Sequence, residues 1–162
     1  MEEKRHLQRR ARGQVLVLLA LLIPAILGLF LFALSLAALH DARAHALYAL
    51  NVATRAAARQ VEYASYGEPD LAFARSAVSD TVRTVFLRGL ALRPSGLADT
   101  PEAIAARTEV ALGYGSPDRP WHSPFAPDRP HVHPTVSARA HISVRVWWFD
   151  LTLTVLSETE VK

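Results

Sequence analysis

The residues in this chain best suited to chemistry lie in one short stretch. His131-Val132-His133 sets two imidazoles two positions apart, with His122, Asp118 and Asp128 close by in the sequence. Imidazole and carboxylate are the ligand types that transition-metal sites use. In extended backbone, residues i and i+2 share a face, and Pro134 biases His133 towards that conformation. His131 and His133 are therefore the candidate metal ligands. No third ligand stands at a diagnostic spacing, and polar residues in proline-rich loops also serve to keep them hydrated, so the expectation is no metal and no other cofactor. Asp41 and His45 are four apart and predict a surface helix pair, worth about 0.3–0.5 kcal/mol. There is no HExxH, no G-x-S-x-G, no glycine-rich phosphate loop and no cysteine nucleophile. Serines and histidines occur without a pattern that brings them together. The expectation is a protein that is not an enzyme.

What must position these residues begins with the membrane. Val15 to Leu39, VLVLLALLIPAILGLFLFALSLAAL, is a run of 25 residues with no charge, and Ser35 is its only side chain with a hydroxyl or amide. As a helix it measures about 37 Å, enough to cross a hydrocarbon core of about 30 Å with some tilt. Lipid offers backbone groups no partners, so a helix is expected throughout 13–39, with a kink at Pro24. Residues 1–12, MEEKRHLQRRAR, carry Lys4, Arg5, Arg9, Arg10 and Arg12 against two glutamates. A basic leader before an apolar span predicts a single-pass protein of the cytoplasmic membrane, with its N-terminus cytoplasmic and the rest exported.

Three readings of this N-terminus stand side by side. A cleaved secretory signal needs an apolar core of 7–15 residues and a small-x-small site; Ser35-Leu36-Ala37 and Ala42-Arg43-Ala44 offer such sites, but the apolar run is longer. An uncleaved signal anchor is the second. The third is a pilin-like leader ending in glycine and cut on the cytoplasmic side, for which Gly13 and Gln14 form the processing site.

Past the span, His40 to Tyr66 is alanine-rich and free of Gly and Pro, which predicts a stem helix over 40–66. Leu47, Leu50, Thr54, Ala57, Val61 and Ala64 follow one another at steps of three and four, so they form a stripe of mostly small residues suited to close helix packing. Gly67 is expected to cap the helix, with Pro69 beyond it.

Gly13-Gln14 at the start of the span, Ala20 to Pro24 (ALLIP) within it, and Ala49 to Arg59 (ALNVATRAAAR) in the stem together resemble the N-terminal region of the TadE/TadG-like proteins. These are membrane-anchored components of the tight-adherence, Flp-type pilus assembly system. The resemblance covers about residues 12–62. It implies a structural role, as a minor pseudopilin or anchor of a Flp-type pilus or related secretion apparatus. Its partners would be membrane lipid and other assembly proteins, met through the span and stem, with self-association among the options. Family members processed by a prepilin peptidase carry glutamate five residues after the cut; counted from Gln14 that position is Leu18, which fits the uncleaved, anchor-type members.

Residues 67–162 are read as an extracytoplasmic α+β module. Asp70 to Arg88 is predicted as a second helix, capped by Asp70 and Gly89, followed by a short strand at Leu90 to Leu92. Thr100-Pro101-Glu102 has the form of a helix start, and Thr108 to Tyr114 alternates as a strand. Ser116 to Pro134 holds six prolines and a ten-residue near-repeat, ProAspArgPro at 117–120 and 127–130. That composition predicts an extended, polyproline-like loop over 116–134. Trp121 and Phe125 would pin it to the surface, or meet a partner. Val136 to Val146 alternates cleanly, and Leu151 to Val155 repeats the pattern after a turn expected at Asp150. The fold class is then α+β: a long transmembrane-plus-stem helix, a second helix and C-terminal antiparallel strands.

Charge adds little. The chain has 18 basic and 15 acidic residues for a net charge of +3. Its arginines are scattered among acids without an aromatic-basic ladder, so no nucleic-acid partner is expected. One alternative to the pilus reading remains: a membrane-tethered extracytoplasmic domain, unrelated to pili, that binds a ligand or a metal through the Pro/His loop.

Overall fold

A computed structural model describes the backbone at residues 2–64, 71–93 and 96–161, and the side chains at 16–61, 75–93 and 96–161. The elements are α1 (Glu2–Ala64), α2 (Leu71–Ala91), α3 (Pro101–Ala106), β1 (Glu109–Gly113), β2 (Trp121–Ser123), β3 (Ala126–His131), β4 (Thr135–Val146) and β5 (Phe149–Glu160). This is the expected α+β fold. The chain divides into two compact units, Met1–Ala38 and Leu39–Lys162.

The first unit takes in the charged N-terminal leader and the apolar part of α1. Its helix runs through Pro24 without a break, although proline leaves one backbone carbonyl of the preceding turn without its donor. Ser35 Oγ bonds to the Leu31 carbonyl at 2.9 Å, which satisfies the hydroxyl within its own helix. The described helix contains an 18-residue window of mean hydropathy 2.9, and none of that window is buried. The surroundings of Gly13 and Gln14 lie outside the described residues.

The second unit has its own core, and the stem belongs to it. Ala46, Ala49, Leu50, Ala53, Ala57 and Val61 are all buried. The stem is therefore not a separate segment beside a module starting at residue 67; it is the first element of the folded unit. Helix α2 lies antiparallel to it: Thr81 bonds to Gln60 at 2.8 Å, while His45 Nε2 meets the Gly89 carbonyl at 3.1 Å. A Cβ on Gly89 would stand 2.7 Å from Ala49 Cβ, so glycine is what lets the two helices close at this point.

That contact corrects the expected C-cap. Gly89 sits inside α2, which continues to Ala91 and carries Leu90 into the core, where a strand at Leu90 to Leu92 was expected. His45 is likewise drawn to the Gly89 carbonyl. The expected caps at Gly67 and Asp70 fall outside the described residues. The helix start at Thr100 is as read: its side chain accepts the Ala103 N–H and Pro101 takes the first position of α3.

The main sheet has the order β1-β4-β5, antiparallel throughout. Val136, Ala138, Ala140, Ile142 and Val144 of β4 face the core. The stem crosses the same face of the sheet, joined by a polar cluster. Thr54 Oγ1 lies 2.8 Å from Ser157 Oγ and 2.9 Å from Thr159 Oγ1, and Ser157 Oγ donates to Asn51 Oδ1 at 2.6 Å. Fully satisfied buried hydroxyls of this kind fix the register of a helix on a sheet.

Two expectations change at the loops. The turn after β4 falls at Trp147-Trp148, because Val146 pairs with Phe149 and Arg145 with Asp150. Asp150 is thus a strand residue, bound to Arg145 at 3.0 Å. The stretch 116–134 is not one open loop: β2 and β3 pair into a small antiparallel hairpin with an irregularity between His122 and Ser123. A two-stranded sheet has an open edge on each strand, so prolines fit where their missing N–H would face outward. The identical ProAspArgPro tetrapeptides take different structures. The first forms a tight turn closed by Ser116 and Arg119, and the second lies within β3.

Candidate functional site

The β2–β3 hairpin folds over the outer face of the main sheet and builds the most elaborate polar site among the described residues. It rests on two glycines. A side chain at Gly113 would overlap the Trp121 ring, and one at Gly115 would overlap the His131 backbone. Trp121 also packs against the His131 ring, with centroids 5.9 Å apart. Phe125 lies under the Arg139 guanidinium at 4.9 Å, a cation–π contact. Trp121 and Phe125 thus pin the hairpin to the sheet, and both are half-buried in doing so.

His131 is carried beneath this cover. It is buried, with Nδ1 3.1 Å from Glu160 Oε1 and Nε2 3.5 Å from Glu158 Oε2. Each ring nitrogen therefore faces a carboxylate, and Nε2 has no hydrogen-bond partner. Glu158 in turn accepts from Ser137 Oγ at 2.9 Å. Ser137 is fully buried and meets the carboxylate, not the imidazole, so its oxygen is neither activated by histidine nor open to a substrate. The cluster ties the hairpin to β4 and β5.

The two candidate ligands, His131 and His133, are not brought together. His131 points into the sheet, whereas His133 is exposed and follows the end of β3. His122 Nδ1 lies 2.8 Å from the Pro127 carbonyl, which can only accept, so that nitrogen carries a proton. Among the described residues no three His, Cys, Asp or Glu side chains converge as a metal cage.

The helix-packing stripe is brought together, but inwards. Leu50, Thr54, Ala57 and Val61 are buried in the domain's own core, so they are spent there and are not offered to a neighbour. Leu47 is exposed, and the side chain of Ala64 lies outside the described residues. What the stem leaves uncovered is a second strip, Leu47, Tyr48 and Val52. A further surface was not foreseen. Strand β1 is an edge of the sheet, and along it runs a groove of about 460 Å³ lined by Arg75, Val78, Val110, Trp121, His122 and Pro124.

Glu158 and Glu160 were missed as partners of His131, and Ser157 and Thr159 as partners of Thr54. The only signal was their position on alternating faces of β5, which acquires meaning once the register with β4 is known. No family model, no curated protein and no solved structure matches this chain.

Proposed function

We propose that this is a single-pass, membrane-anchored structural protein of the cell envelope, N-terminus in the cytoplasm and α+β domain outside it. Its role would be that of an anchor or minor pseudopilin in a Flp-type pilus or related secretion apparatus. One observation carries the anchored part of the reading. From Leu16 to Leu36 the large apolar side chains of α1 are all exposed, while the second unit completes its own core. Full burial of such a side chain is worth about 1.5–3 kcal/mol. Fifteen of them amount to at least roughly 20 kcal/mol, more than the whole stability of an ordinary domain, about 5–15 kcal/mol. Such a surface must be covered, and lipid is the medium its length and freedom from charge suit.

The pilus-type role rests on the resemblance over Gly13 to Arg59. Lateral contacts with other assembly proteins, or with further copies, then fall to the apolar segment and to the outer strip of Leu47, Tyr48 and Val52. A second reading has its own observation: the groove beside the open β1 edge suits an extended ligand, as in strand addition. Photo-crosslinkers placed singly at Val52 and at Val110 in cells separate the two. The structural role predicts that Val52 captures pilus or envelope-assembly proteins. Capture from Val110 alone, or no assembly protein from either site, would count against it.

A further inference from the structure

The turn between β4 and β5 is made of residues that turns avoid. A two-residue hairpin loop normally takes Asn, Asp or Gly because one or both positions need positive φ. Here Trp147 occupies such a position, with φ 61°, and among the described residues it is the only non-glycine with positive φ. A bulky side chain in that region is strained, and strain of this kind marks sites kept for a purpose other than stability.

The turn also displays its aromatics. Trp147 is 49% exposed, Trp148 76% and Phe149 54%. They support one another in a small ridge, Trp147 edge-on to Trp148 at 5.4 Å and Trp148 tilted against Phe149 at 5.3 Å. Leu92, at the end of α2, is 81% exposed.

Backbone contacts fix where this ridge lies within the folded unit. Arg145 N–H donates to the Gly96 carbonyl at 2.9 Å, and Leu97 pairs with Val144. Leu97 in turn lines a small hollow with Asp41, Ala42, His45 and Arg93. The aromatic turn, the end of α2 and the first turns of the stem therefore share one end of the domain. Leu39, where this unit begins, follows directly on the apolar segment in the chain. In the anchored protein, chain connectivity alone keeps Leu39 next to the bilayer surface.

We propose that Trp147, Trp148 and Phe149 insert into the headgroup–acyl boundary of the membrane that anchors the chain, docking this end of the domain on the lipid surface. Tryptophan with its apolar body and polar N–H is the residue type that prefers this layer. Arg43, Arg88 and Arg93, all exposed and near this end, suit the phosphates beside it, whereas Arg145 is already paired with Asp150. The inference rests on the anchored reading above.

The test is tryptophan fluorescence of the full chain in phosphatidylcholine–phosphatidylglycerol vesicles, with bromine placed either shallow or deep on the acyl chains. The reference is the double variant Trp147→Gly/Trp148→Asn, which puts glycine at the positive-φ position of the turn and leaves Trp121 as the only tryptophan. Flotation of the vesicles reports anchoring independently. The proposal predicts that both proteins float, and that the wild-type signal in excess of the variant is blue-shifted and quenched more by shallow than by deep bromine. If both float but the excess signal is water-like and indifferent to bromine, the docking is overturned and the anchor stands. If neither floats, the anchored reading falls and takes this one with it. Capture of a protein, instead of lipid, by a crosslinker at Trp148 in native membranes would also overturn it.

Discussion

One helix, α1, carries two unlike surfaces. From Leu16 to Leu36 its large side chains (chiefly Leu, Ile and Phe) all lie uncovered; beyond Leu39 its inner side chains are small (Ala and Thr for the most part) and lie fully buried. The difference teaches that burial within a protein follows shape as much as hydrophobicity. Small residues let α2 and the sheet close on the stem, and the bulk of the core comes from their partners Phe86, Leu90 and Ile142. Among the described residues the greasier half has no such partner, and a solvent of lipid would serve it instead.

The comparison can be broken by making one substitution in both halves. Leu50→Ala should destabilise the domain by about 2–5 kcal/mol, read from urea unfolding of the full chain in detergent. Leu22→Ala, the same change in the exposed half, should move that transition by less than about 0.5 kcal/mol. Equal effects would mean that the two halves do not differ as described.

Glycine sharpens it further. Gly28 has nothing near the position of a Cβ, whereas a Cβ at Gly89 meets Ala49. Gly89→Ala should cost about 1–3 kcal/mol by overpacking, despite alanine's better helix propensity, and Ala49→Gly in the same chain should recover part of it. Gly28→Ala should leave unfolding unchanged. A Gly89→Ala protein as stable as the parent would refute the close approach of α1 and α2. Thr54→Val keeps the shape but leaves Ser157 and Thr159 short of a partner, for an expected loss of about 1–3 kcal/mol. Recovery on adding Ser157→Ala and Thr159→Val, by comparing the single and triple variants, would identify the cluster as the cause.

The smallest expected effect is a pH dependence at the surface. Asp99 has its carboxyl held below the usual range by its hydrogen bonds to Arg107 and Ser143, with the Arg107 charge adding to them. A lowered folded value means that the bond contributes above the unfolded carboxylate range and is lost as pH falls through the lowered one. Asp99→Asn should therefore reduce the urea midpoint slightly at neutral pH, with the gap closing in strong acid. A gap that widens in acid would reverse the assignment.

Much of this architecture was legible because periodicity carries it. The charge-free run, the alternation from Val136 to Val146 and the cap at Thr100 each state a local preference that the fold keeps. What was hidden depended on distant partners. Gly89 reads as a stop signal until Ala49 is brought against it, and Leu90 then continues the helix into the core. Asp150 reads as a turn residue until its pairing with Arg145 moves the turn to two tryptophans. The proline stretch reads as extended loop because proline disfavours central strands, yet an isolated hairpin has only edges. His131 was legible as a chemical group, but its carboxylates lie 27 and 29 residues away, on a face that only strand register defines. The stem stripe was read as a surface for lateral packing between helices; Leu50, Thr54, Ala57 and Val61 instead lie in the domain's own core, and Leu47 is exposed.

The central claim is that the apolar segment stays with the domain and holds it on a membrane. The intact mass of the protein recovered from washed membranes tests this most directly. The account predicts a chain that starts at or before Gln14 and retains the whole segment; a start at Gln14 would place it among processed pilin-like subunits, an earlier one among permanent anchors. A mature chain beginning after Ala38, released from the membrane, would contradict it.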